Sequence, residues 1–348
     1  MYKYQITEFY ANSNNAGSKA PEDIKDIVDK LGYLNVRIPL YDDKGKLYKK
    51  IFNQIKGFFV WESVYQKIEK NSIVFVQYPQ YKRQFNRKRI LKLLKKKKNI
   101  HIICLIHDID KLRHVTLRKS ISNEFNEILT LSSKIIVHNQ SMQSYLIDEG
   151  IESSKLVPIK IFDYLRSDYK ITHPKYSTKV IIAGNLDHSK SKYLENLWKV
   201  KTEFVLYGSN YHLPPHDNIV YKGALSPNDV PKALNTGYGL VWDGDSIESC
   251  QGNFGEYLKY NNPHKLSLYI SSNLPVIIWS QAAEAKFVKE NDIGLVVDSL
   301  YQIPSMLKTI SKDRYNELVG NTIKVAKRLV EGQYTKDAIG KVQEELKN

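Results

Sequence analysis

Cysteine is scarce in this 348-residue chain. There are two, Cys104 and Cys250, too few for a disulfide framework or a four-thiolate zinc site. Long apolar runs are missing as well. Stretches such as Ile102–Ile106 and Leu274–Trp279 span only a few residues, whereas a membrane-crossing helix needs about 20. The amino terminus, MYKYQITEFYANSNN, has no apolar segment behind a basic start, so no signal peptide is read and a cytoplasmic protein is expected. Neither G-x-G-x-x-G nor a Walker A pattern occurs, so the dinucleotide and P-loop fingerprints are absent. What is present is an ordinary globular composition, 42% apolar and 26% charged. It excludes a disordered chain or a collagen, and the length suits two domains.

Acidic residues are in deficit. Lys and Arg number 52 against 37 Asp and Glu, a net charge of +15. The excess is uneven: residues 1–165 hold 29 basic and 17 acidic side chains (29 − 17 = +12), leaving +3 for the remainder. Lys82 to Lys98 (KRQFNRKRILKLLKKKK) has ten basic residues and no acid. Such a stripe calls for nucleic acid, an anionic membrane surface or phosphorylated substrates, or is simply a solvated helix face.

Ile- and Val-rich runs alternate with amphipathic stretches along the whole chain. YQITEF, LNVRIPLY, SIVFVQYP, IHIICLIHD and KIIVHN read as buried strands in the first half; KVIIAGN, EFVLYGS, YGLVWD, LPVIIW and IGLVVD do so in the second. PEDIKDIVDKLG, the basic stripe, SKSKYLENLWKV and PHKLSLYISS are among the helical patterns between them. Alternation of this kind predicts an α/β class with two Rossmann-like domains, their parallel sheets facing across a cleft. The expected division is 1–165 and 166–330, joined at about 163–178, with a helix over 331–348 open to packing back on the first domain.

Ligands in such folds lie beyond the carboxyl ends of strands, and five segments there carry candidate chemistry. Asn261-Asn262-Pro263-His264-Lys265 suits a helix start, with Asn262 as N-cap and Pro263 at N1. The free N–H groups and Lys265 would seat a diphosphate, although capping alone favours a plain helix end with a surface lysine. Gly184 and Asn185 follow one strand and Tyr207 another, where close backbone approach could line a nucleotide pocket. Asp243, Asp245, Glu248 and Glu256 lie in a glycine-bearing loop whose carboxylates suit sugar hydroxyls, or a polar surface. His107 and Asp108 end an apolar strand in the basic half, as a base or acceptor contact, or as a turn. The loop Asn12–Lys19, with Asn15, Gly17, Ser18 and Lys19, suits closure over a substrate, or is merely a loop.

Taken together, IHDIDKLR, IKIFDYL, AGNL, FVLYGSNY and the stretch from Trp242 to Trp279 resemble, in the same order, bacterial β-1,6-galactofuranosyltransferases and the related glucosyltransferase 3-like enzymes. The resemblance implies a GT-B fold with an acceptor-binding first domain and a nucleotide-sugar-binding second one. It implies a metal-independent, inverting transfer of a hexose, galactofuranose favoured, from a UDP-sugar to a lipid-linked or protein-linked saccharide, with no other cofactor. UDP would then lie at Tyr207, Asn262 and Lys265, with Gly184 and Asn185 on the cleft wall and Asp243, Asp245, Glu256 and His264 nearby. Asp108 is the expected base and His107 its rival. Lys265→Ala is expected to lose turnover with the fold intact. The E-x7-E spacing of Glu248 and Glu256, known from retaining glycosyltransferases, is coincidental here, because the place of the second Glu, seven residues before Pro275, holds Leu268.

The basic stripe would hold the enzyme against anionic lipid at the inner membrane face, and self-association is left open. Glucosyl transfer in extending sugars on a serine-rich adhesin is the alternative. A basic nucleic-acid-binding protein is the competing class, but Phe85 is the one aromatic interleaved in the stripe and no nucleic-acid-binding motif occurs, so no nucleic-acid partner is named. A catalytically inactive partner of another transferase is a third reading.

Overall fold

The computed structural model describes residues 1–10, 19–41, 47–80, 84–113 and 119–347. The expected Asn15, Gly17 and Ser18, and Lys82 and Arg83 of the basic stripe, lie outside them.

The first half forms a six-stranded parallel sheet in the order β2-β1-β3-β4-β5-β6. Its strands are β1 (Lys3–Tyr10), β2 (Leu34–Leu40), β3 (Ile73–Tyr78), β4 (His101–Ile106), β5 (Lys134–Val137) and β6 (Leu156–Pro158). Between them run α1 (Lys19–Lys30), α2 (Leu47–Lys67), α3 (Arg87–Lys98), α4 (Lys119–Leu131) and α5 (Gln140–Asp148). β4 is buried along almost its full length, as a central parallel strand covered by helices on both faces must be.

The second half repeats the plan in the order β12-β11-β10-β7-β8-β9. Here β7 is Lys175–Ala183, β8 Phe204–Tyr207, β9 Ile219–Tyr221, β10 Thr236–Val241, β11 Val276–Trp279 and β12 Gly294–Val297. The helices are α6 (Val230–Ala233), α7 (Gly252–Tyr257), α8 (His264–Ser271), α9 (Ala285–Glu290) and α10 (Ile303–Thr309), followed by the long α11 (Lys312–Val330) and α12 (Gln333–Glu345). Residues 192–199, expected as an α-helix, wind as a 3-10 helix. Leu194, Leu197 and Val200 are buried, and their spacing of three matches that tighter turn.

The last helix crosses to the first half. Lys134 and Glu345 form an ion pair at 2.5 Å, and Gln343 donates to the Tyr33 hydroxyl at 2.8 Å. Ile339 and Val342 on α12 share one core with Val28, Phe75 and Ile136 of the first half. Within the expected connector at 163–178, Asp163 and Tyr164 are buried and residues 175–178 belong to β7, while the stretch between them has neither helix nor strand and is mostly exposed.

Candidate functional site

The carboxyl ends of both sheets open onto one cleft of about 1420 Å³. From the first half it receives Thr7 and Gln77 on β1 and β3 and His107 and Asp108 just past β4, and from the second Gly184, Tyr207 and Asp243. Lys19, Asn185, His264 and Lys265 also line it.

A seam of hydrogen bonds closes the cleft floor. Asn262 is not the N-cap of α8, which starts at His264 with Pro263 in the cap position. Its side chain is instead taken up by the other lobe. Nδ2 donates to the carbonyls of His138 (2.9 Å) and Lys160 (3.0 Å), while Oδ1 accepts from Asn139 (2.7 Å). The Asn262 N–H donates to Nδ1 of His138 at 2.8 Å, and His138 Nε2 donates to the Ile106 carbonyl at 3.1 Å. Burial pushes this imidazole down to about 3, so it stays neutral and keeps its accepting nitrogen. Among the described residues no side chain caps the N-terminal N–H groups of α8.

Lys265 sits in the first turn of α8 with its charge already answered. Nζ donates to Asp243 Oδ1 and to the Trp242 carbonyl, both at 2.9 Å, and both side chains are largely buried. Burial lowers the Lys265 pKa although Asp243 supports the charge. Lys190 is a cation that sequence reasoning overlooked. It lines the same cleft, its charge reaches both Lys265 and Asp108, and it forms no ion pair among the described residues.

Part of the second lobe's wall is bare main chain. Gly184 follows β7 and its N–H donates to the Tyr207 carbonyl at 3.0 Å. A Cβ on Gly208 would stand 1.7 Å from the Gly184 carbonyl oxygen, and φ there is +154°, so these two turns cross only because residue 208 has no side chain. The Tyr269 hydroxyl of α8 accepts from Ala183 N–H at 2.8 Å and fixes the end of β7. Asn185 accepts from Asp187 N–H and from Asn210, which holds its loop.

Opposite stands Asp108. Its Oδ2 lies 3.3 Å from Arg113 Nη1, and the Tyr257 hydroxyl from α7 bonds to it while accepting the Ile109 N–H at 3.0 Å. Burial raises the Asp108 pKa, against the opposing pull of Arg113 and Tyr257. Arg113 also stacks over Phe254, so the loop after β4 bridges to the second lobe. His107 is a weaker base. Burial takes it down to about 3, its Nε2 donates to Gln77 Oε1 at 2.6 Å, and its ring stacks on Phe162.

Two expected carboxylates fall outside the cleft lining. Asp245 is folded back against Gly252 within its own loop, and Glu256 is paired with Lys259 at 2.5 Å. Lys19 lines the cleft but is engaged by Asp23 (2.5 Å) and the Leu165 carbonyl (2.9 Å). Among the described residues the buried Nε2 of His264 has no hydrogen-bond partner, and burial lowers its pKa to about 4.

Family models for the glucosyltransferase 3-like N-terminal and C-terminal domains match residues 3–161 and 180–342. The chain belongs to the glucosyltransferase 3-like family. Among relatives of this family, the β-1,6-galactofuranosyltransferase WbbI of Escherichia coli (strain K12) is 32% identical, over 99% of each chain. Glucosyltransferase 3 of Streptococcus gordonii is 24% identical, over 97% of each. The solved structure of Anabaena HepE in complex with UDP superposes with a TM-score of 0.58 at 11% identity, covering 98% of this chain and all of that one. The family member described here thus has the GT-B fold, two parallel-sheet lobes about one cleft.

Proposed function

We propose that this chain transfers a hexosyl group from a UDP-sugar to a hydroxyl of a saccharide acceptor, with inversion at the anomeric carbon. The observation that carries the reading is the opposition, across one cleft, of the Asp108 carboxyl on the first lobe to two lysines and a helix start on the second that no described side chain caps. The full-length likeness to WbbI supports galactofuranose as the sugar; the weaker likeness to glucosyltransferase 3 supports glucose as the second reading.

In this reading the acceptor oxygen attacks the anomeric carbon and its proton passes to the Asp108 carboxylate. The bond from that carbon to the phosphate oxygen breaks, and UDP departs with the electron pair. Lys190, Lys265 and the N–H groups of α8 oppose the charge that grows on the diphosphate. The bare backbone of Gly184 and Gly208 lets the nucleotide lie close, with Tyr207 beside it. His264 Nε2 is an acceptor for a sugar hydroxyl. The charge balance is assigned to the chain's own cations, Lys190 and Lys265, and the likeness to the glucosyltransferase 3-like family supports turnover without divalent ions, which the chelator arm below tests.

The test offers UDP-galactofuranose and UDP-glucose with simple glycoside acceptors, with and without a chelator, and follows product by mass. Product is expected in both conditions, and Asp108→Asn should lower kcat by about 10²–10⁴. Wild-type turnover should fall on acidification through a pKa above the usual carboxylate value, as the raised Asp108 gains its proton. Absence of product from either donor overturns the reading; full activity of Asp108→Asn overturns the base.

A further inference from the structure

The first turns of α2 depart from the habit of a surface helix, which hides its apolar stripe. Tyr48, Ile51, Phe52, Ile55 and Phe59 recur at helical spacing, and each is between 50% and 66% exposed. Only from Trp61 onward, with Val64 and Ile68, does the apolar side enter the core. Phe85, 78% exposed, lies alongside, its N–H donating to Gln54 on α2 at 3.2 Å.

α3 runs beside α2, held through Asn86 to the Phe58 carbonyl and Glu62. It carries eight basic side chains and no acidic one. Arg87, Lys88 and Arg89 are paired with Glu8, Glu127 and Glu62. Lys92, Lys96 and Lys97 are exposed and form no ion pair among the described residues. Lys56 adds a further cation 4.5 Å above the Phe52 ring.

A row of exposed rings and branched chains is too large a patch for water alone. A second copy of this chain would lay one lysine helix against another, and like charges would oppose it. An anionic bilayer satisfies both halves, because aromatic and aliphatic side chains enter the headgroup boundary while lysines meet lipid charge. The patch is also well placed. α2 follows β2, an edge strand of the first sheet, and residues at the carboxyl edge of that sheet line the cleft.

We propose that the amino-terminal half of α2, with Phe85 and the free lysines of α3, seats the protein on an anionic lipid surface. The surface does not depend on sugar transfer, so binding is measured without donor or acceptor, and its failure leaves the proposed reaction untouched. The full chain is sedimented with phosphatidylcholine vesicles, with and without phosphatidylglycerol. Retention is expected only with the anionic lipid. Phe52→Ser/Phe59→Ser and Lys92→Gln/Lys96→Gln/Lys97→Gln should each lose about tenfold or more in partitioning at unchanged melting temperature. Phe59→Cys carrying an environment-sensitive dye should shift its emission to the blue on the same vesicles, the native Cys104 and Cys250 being buried. Three results would each overturn the proposal: no retention by anionic vesicles, variants that partition like the wild type, or an oligomer that Phe52→Ser/Phe59→Ser turns into monomers.

Discussion

The ammonium of Lys265 lies 2.9 Å from the Asp243 carboxylate, and little water reaches either group. That pairing changes what Lys265→Ala reports. Removing the lysine strands a buried carboxylate, at a cost of about 3–5 kcal/mol, so the variant should lose stability as well as turnover, contrary to expectation from the sequence. Lys265→Met/Asp243→Asn, which neutralises both partners, should regain most of the melting temperature yet stay slow; recovery of turnover in that double variant would remove Lys265 from the reaction. Lys190 offers the cleaner test because it forms no ion pair among the described residues. Lys190→Ala should lower kcat by about 10²-fold or more at an unchanged melting temperature, and a silent variant would exclude it. The sequence exposed Asp108 because strand ends are legible. It did not expose Lys190, Arg113 or Tyr257, which reach the cleft from separate loops and mean little until the chain is folded. Asn262 was misread for a related reason: Asn-Pro is a fair capping signal, but tertiary partners on the other lobe claimed its amide.

At the level of elements, Ile- and Val-rich runs foretold most strands, since a buried parallel strand must be apolar nearly throughout. β6 and β9, three residues each, are too short to show a pattern, and α5 (QSMQSYLID) is mostly polar. The start of α12 is fixed by a residue far away in sequence. Asp163 accepts the N–H groups of Tyr334 at 3.3 Å and Thr335 at 2.7 Å, and burial still raises its carboxyl to about 7. The unfolded value is near 3.8. Between the two the folded chain holds the extra proton, so this group's contribution to stability is full below the lower value and is lost as pH rises through the higher one. The melting temperature of the wild type relative to Asp163→Asn should therefore climb as pH is lowered from about 8 to about 5. A difference that stays flat would show that the carboxyl titrates normally.

Over the whole molecule, the two lobes are pinned at the cleft floor. Asn262 bonds His138, Asn139 and Lys160 at once. Asn262→Ala would leave several buried groups without partners, at about 1–3 kcal/mol each, so the melting temperature should drop by several degrees and turnover should fall because both walls of the cleft are then less firmly held. An unchanged melting curve would show that the seam contributes nothing. The excess positive charge was plain in the sequence, but its division into paired and unpaired lysines was not, since ion pairs form between helices distant along the chain.

The crossing of α12 bears on how the protein is made. Ile339 and Val342 complete the core against residues such as Val28 and Phe75, which leave the ribosome some 300 residues earlier, on the order of fifteen seconds to a minute at ordinary rates of synthesis. The lobe that emerges first is thus the one finished last, and through all that interval its flank waits uncovered. A nascent chain of this design has a built-in need for protection, and a stop codon that trims only the final helix would injure the half of the protein farthest from it in the message.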